Sequence, residues 1–265
     1  MTITTPAPAA SAAEPFAVEL SAPVNLRDLG GIPIAGGVLR EGLAIRADDL
    51  SVITEEDARA LVERGLTAVI DLRTGDETAI TGRGPLAAQP VAYHHLPLMA
   101  SIGAGMPEEG PAALEHLAMG EMYARMVEQA APQLASALAI IALSPGATAF
   151  HCAAGRDRTG VLAATLLLAL GADDDDIVTD YARTEANMPA IHERMRPAMG
   201  VLLARLGFDL EQLSAAAISS EPMEVSMRTM LARLRERHGD ALAPLRAAGL
   251  SEDTVARLRR RALAG

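Results

Sequence analysis

The chain has 265 residues, half of them hydrophobic, with 23 basic against 34 acidic residues and a net charge of −11. That length suits one sizeable α/β domain. The acidic balance argues against a nucleic-acid partner, which needs a basic face. The single cysteine excludes an internal disulfide framework and permits a reducing compartment.

Residues 1–20 read as a flexible tail. Met1 to Ala13 hold Thr, Ala, Pro and Ser, with neither a basic start nor an apolar block, so they do not form a secretory signal. Residues 21–265 read as one domain, and no apolar run approaches the ~20 residues of a membrane span. Gly30 to Gly37 is a turn-rich β segment. Thr54-Glu55-Glu56-Asp57 supplies an N-cap and an acidic first turn for a helix that ends by Gly65. Thr67 to Leu72 and Tyr93 to Leu98 are strands, and Gly103 to Pro111 is a Gly/Pro loop. Met119 to about Ala142 is helical, broken by Pro132. Residues 147–151 form a buried strand and 158–170 a buried helix. Asp173 to Asp176 open a further helix over Ile177–Glu185, where acids suit the N-terminus better than they suit a metal. The six methionines between Met188 and Met230 fit either an ordinary helical core or an adaptable cover over a site. Arg257 to Arg261 complement the last turn of a closing helix. Strands alternating with helices predict a mostly parallel central sheet flanked by helices, with a C-terminal helical elaboration. Ligands of such a sheet bind beyond the carboxyl ends of the strands.

The lone cysteine stands at such an end, in His151-Cys152-Ala153-Ala154-Gly155-Arg156-Asp157-Arg158-Thr159-Gly160. The run joins a strand to a helix through a tight loop, and a helix N-terminus offers unpaired N–H groups and partial positive charge to an anion. The same field favours the thiolate of Cys152. Arg158 adds a planar fork that fits two phosphate oxygens. Gly155 admits a turn that a Cβ would resist, and Thr159 is placed to donate its hydroxyl to the sulfur. His151, Ala153, Ala154, Gly155, Arg156, Thr159 and Gly160 are the substrate-binding shell of this reading, with Cys152, Arg158 and Asp157 catalytic. This is the layout of a cysteine-dependent phosphatase, whose chemistry calls for neither metal nor cofactor.

The run resembles the signature of the bacterial tyrosine/serine phosphatase family, a branch of the protein-tyrosine-phosphatase-like superfamily. Asn25-Leu26-Arg27-Asp28-Leu29-Gly30-Gly31, Leu39-Arg40-Glu41-Gly42, Ile45-Arg46-Ala47, Asp71-Leu72-Arg73, His238-Gly239-Asp240 and Leu245 to Leu250 resemble it too. The resemblance implies a cysteine phosphatase fold, a phosphotyrosine-directed or dual-specificity activity, and an extension to phosphoinositides. It implies Cys152 as nucleophile, Arg158 as phosphate ligand and Asp157 as the loop acid. Relatives often carry Lys at the position of Arg156, a cation associated with highly charged substrates. Relatives also carry a helical insertion over about 186–240 that can cover the site as a lid. Some are secreted without a signal, although the expectation here is a cytoplasmic protein.

The stretch Met99 to Gly105 has no carboxylate where related phosphatases carry a mobile acid. Asp157 is therefore either the proton donor or only an orienting group for Arg158. Asp71 is a second candidate donor. Arg27-Asp28 and Asp71-Arg73 are read as pairs that hold loops near the pocket. His151 is a supporting group bonded to backbone. The partners expected are a phosphorylated protein or a phosphoinositide, with phosphate or sulfate seated in the loop. A sulfurtransferase and a catalytically weak phosphate-binding module are the alternatives.

Overall fold

A five-stranded sheet organises the computed structural model, which describes residues 19–101, 115–205 and 222–263. In chain order the strands are β1 (Arg27–Asp28), β2 (Pro33–Ile34), β3 (Gly37–Val38), β4 (Ala44–Ala47), β5 (Leu66–Asp71), β6 (Ala92–His95) and β7 (Ala147–His151). The sheet order is β1-β4-β7-β5-β6, and within it only β1 runs antiparallel to its neighbour. β2 and β3 form the turn-rich hairpin expected at Gly30 to Gly37. The expected strand at residues 93–98 ends early, at His95.

The helices are α1 (Glu55–Glu63), α2 (Gly75–Thr81), α3 (His116–Gln129), α4 (Ala131–Leu143), α5 (Asp157–Leu170), α6 (Asp174–Ala182), α7 (Met188–Arg205), α8 (Glu224–His238), α9 (Ala243–Ala247) and α10 (Glu252–Leu263). The two-residue period of the strands divides their side chains between two cores. Ile45, Ala47, Leu66, Val69, Ala147 and Ala149 face α1 and its short flanking turns. Ala44, Ile70 and Phe150 face the larger helical layer. Twelve of the fourteen residues of α5 are buried, so it forms the spine of that layer. The same period sends polar side chains to opposite faces at the carboxyl end of the sheet: Arg46 on the helical side, Asp71 and His151 on the other.

Proline ends the long apolar helix as expected. It sits in the first turn of α4, where its missing N–H costs nothing, and α3 and α4 meet at 76°. Together they have the length and composition of a membrane span, but bent and packed in the core; no single described helix is long and apolar enough to cross a membrane. Met223, Met227 and Met230 are core residues. Met195 and Met199 instead lie on α7, lining a cleft with Ala153 and Glu77 beside the cysteine loop. The N-terminal tail as far as residue 18, the Gly103–Pro111 loop and residues 206–221 of the methionine-rich stretch lie outside the described residues.

Two readings of charge change. Asp174 to Asp176 do open a helix, but earlier than expected, and Asp174 and Asp175 pair with Arg235 and Arg228 of α8. No cluster among the described residues has the make-up of a metal site. Arg260 and Arg261 stand in the last turn of α10, as expected, and three of the α10 arginines also serve other helices. Arg257 and Arg261 donate to the carbonyls of Ala142 and Ile141 at the end of α4, and Arg259 to Ala169 near the end of α5. Terminal carbonyls lack intrahelical partners, and this helix supplies them from across the fold.

Candidate active site

The loop from Cys152 to Arg158 crosses from the end of β7 to the start of α5. No side chain caps that helix, which leaves its first N–H groups for a ligand of the loop. Cys152, Ala153, Ala154 and Gly155 are buried, so the loop is a floor rather than a surface turn. Gly155 has φ +66°, and a Cβ there would lie 2.6 Å from the Ala47 carbonyl oxygen. Both conditions select glycine. The Thr159 hydroxyl donates to Cys152 Sγ at 3.2 Å, as the spacing predicts. Gly160 lets Tyr181 pack on the first turn of α5, where a Cβ would come within 2.9 Å of the ring.

Arg158 is held by a residue that the sequence reading missed. Its Nη1 and Nη2 donate to Oε2 and Oε1 of Glu77 at 2.5 and 2.9 Å. Glu77 is in turn fixed by a capping box with Thr74 at the start of α2. Burial opposes the charge on Glu77, but the bond and charge of Arg158 outweigh it and hold its carboxyl below the usual range. Burial likewise opposes the charge on Arg158, and the neighbouring Cys152 and Glu77 reinforce it. The pattern Thr74-x-x-Glu77 was a local signal for the capping box, though not for Arg158.

Asp157 stands at the mouth with its side chain about one-third exposed. It accepts a hydrogen bond from the Tyr123 hydroxyl, which lies 2.9 Å from the Tyr181 hydroxyl. Arg156 Nε is 3.6 Å from Asp157, while its Nη2 turns inward to Met119 Sδ. The Arg156 side chain is thus mostly covered.

Asp71 is not placed to give a proton. It is fully buried and accepts three bonds from the Arg73 side chain at 2.6–3.2 Å and one from the Tyr93 hydroxyl at 2.8 Å. Burial alone would raise its carboxyl, but coupling to His151 and the Arg73 bonds drive it far below the ordinary range. Arg73 also reaches Asp49, Ser51 and Thr81, tying α2 to the end of the sheet. His151 accepts a backbone bond from Leu50, in line with its supporting role, and burial lowers its pKa. Arg27 pairs with Asp180 of α6, and Asp28 accepts the Gly30 and Gly42 amides; neither enters the loop.

A thiol on an uncapped helix end, a hydroxyl donating to it, and a buried arginine squared by a carboxylate define a cysteine-dependent phosphatase. The tyrosine phosphatase family model matches residues 18–264, and the chain belongs to that family. The triple specificity protein phosphatase PtpB of Mycobacterium tuberculosis is 27% identical, over 91% of this chain and 97% of PtpB. A tyrosine-protein phosphatase of Nostoc commune is 33% identical over 52% of this chain and 47% of its own length.

Proposed function

We propose that Cys152 attacks the phosphorus of a phosphomonoester, phosphotyrosine first among them. The S–P bond forms as the P–O ester bond breaks, and Asp157 gives its proton to the departing oxygen. Water then attacks the phosphocysteine, returning a proton to Asp157, and sulfur leaves as the thiolate that Thr159 stabilises. Arg158 and the loop amides bind the three equatorial oxygens, where charge builds in the transition state. Phosphate or sulfate is the resting ligand of the same loop. The single observation that carries this reading is the 3.2 Å bond from Thr159 to the sulfur at the uncapped end of α5. Asp157 is favoured as donor because Asp71 and Glu77 are buried and locked to arginines, whereas Asp157 reaches solvent.

The reading extends to phosphoserine, phosphothreonine and phosphoinositides through the same chemistry and the family resemblance, and the likeness to PtpB, named a triple specificity phosphatase, supports more than one substrate class; Arg156 adds to the positive field at the loop. The test of the proton donor compares Asp157→Asn on phenyl phosphate and p-nitrophenyl phosphate. A loss of about 10²–10³ on phenyl phosphate and a much smaller one on the better leaving group supports the role. Equal losses on both contradict it. A panel of phosphopeptides and phosphoinositides then ranks the substrates, with thiosulfate as the control for sulfur transfer.

A further inference from the structure

Two side chains from parts of the chain distant from the cysteine loop hold its carbonyl oxygens. Asn25 Nδ2 lies 3.3 Å from the Ala154 oxygen and 3.2 Å from the Gly155 oxygen. Arg46 Nη2 donates to the Gly155 oxygen at 2.9 Å. Asn25 and Arg46 are both buried. The Asn25 amide has its orientation set, because its Oδ1 accepts from Arg27 Nη1 at 2.7 Å. That leaves Nδ2 facing the loop. One carboxylate anchors both arms: Asp180 takes Arg27 at 2.8 Å and Arg46 at 2.5 Å.

In a planar trans peptide, C=O of one residue and N–H of the next point in opposite directions. Drawing the Ala154 and Gly155 carbonyls backward therefore turns the Gly155 and Arg156 N–H groups forward, into the phosphate cradle. It also keeps two carbonyl dipoles away from a dianion. The charge balance fits the same purpose. A buried arginine, Arg46, and a partly buried one, Arg27, share one aspartate, and burial with the repulsion of Arg46 lowers the pKa of Arg27 to about 10. A surplus buried cation is costly in a cluster that serves stability alone, but beneath an anion site it adds attraction.

We propose that Asn25 and Arg46, aligned by Asp180, are positioning residues that aim the amides of the cysteine loop at the transferring phosphoryl group. The proposal rests on the phosphatase reading above and adds the residues that preorganise its cradle. They act through backbone, not by touching substrate.

Asn25→Asp tests this with almost no change of shape, because it replaces the donor facing two carbonyls with an acceptor. Arg46→Lys is the second variant; it keeps the charge beside Asp180 but loses the fork that spans Asp180 and the Gly155 oxygen. Each is compared with wild type for kcat and KM on p-nitrophenyl phosphate and for inhibition by orthovanadate, after the folded fraction is set by thermal melting. The expected result is a loss of about tenfold to a hundredfold in kcat/KM, with vanadate affinity falling alongside it. A merely structural role would lower Tm and leave the vanadate constant of the folded fraction unchanged. Either folded variant with kcat/KM and vanadate inhibition within twofold of wild type overturns the proposal. Wild type that neither turns over the ester nor binds vanadate would instead overturn the phosphatase reading beneath it.

Discussion

Glu77 grips both terminal nitrogens of Arg158 from the first turn of α2, about eighty residues earlier in the chain. The fork that is to meet phosphate is thereby fixed before any ligand arrives, so its rotamer entropy is lost on folding rather than on binding. Glu77→Gln leaves one acceptor and removes the charge. The expected outcome is a rise in KM and a loss of about tenfold in kcat/KM, with stability lower by about 1–3 kcal/mol. Steady-state kinetics and urea unfolding check it; unchanged KM would show that Arg158 is oriented by other means.

Thr159→Val keeps the shape and removes the donor to Cys152 Sγ. A hydrogen bond to a charged group is worth about 1.5–3 kcal/mol, or roughly tenfold to a hundredfold in rate. The loss is expected in breakdown of the phosphocysteine, where sulfur must leave. KM for an aryl phosphate should fall or stay level. A burst of phenolate should precede the slowed steady state in rapid-mixing traces.

Acid should unfold the protein through its buried carboxylates. Glu77 and Asp180 have folded pKa values below their ordinary 4.5 and 3.8, against the cost of burial, because Arg158 and the Arg46–Arg27 pair hold them charged. A depressed folded pKa contributes stability that is complete above the ordinary value and lost as pH falls through the folded one. Denaturation midpoints should thus be flat from about pH 7 to about pH 5 on account of these groups and drop below it. Glu77→Gln should flatten part of that drop.

The arginines of α10 make a structural counter-case. Arg261 donates to the carbonyls of Ile141 and Gly146, and its own carbonyl accepts from Arg40. Arg261→Met should cost about 1–3 kcal/mol of stability by leaving covered carbonyls unpaired. Activity per folded molecule should not change.

The legible part of the site was the part that is local in sequence. Cys152 to Gly160 is one strand end, one turn and one helix start, so its chemistry and geometry follow from neighbours. The proton-donor question could be narrowed only in three dimensions, where Asp71 is locked beneath Arg73 and Asp157 reaches the mouth. Glu77, Asn25 and Arg46 were invisible as functional residues because each meets the loop only through the parallel sheet and its crossovers, and Asp180 because it acts at one remove, through Arg27 and Arg46. Asn25 and Arg46 did stand within the segments that resemble the family, but nothing local told a loop-holding asparagine from an ordinary turn. The methionines divided in the same way. A helical period marks an apolar face without saying whether a core or a cleft covers it, and here Met227 and Met230 took the first and Met195 and Met199 the second.

The proposed mechanism requires the thiolate of Cys152 to carry the reaction without a metal. Its most direct test is phosphate release from p-nitrophenyl phosphate between pH 5 and 8 in EDTA, for wild type beside Cys152→Ser. The account predicts wild-type turnover that EDTA does not change and that disappears in the variant. Turnover that survives in Cys152→Ser, or that EDTA abolishes, would contradict it.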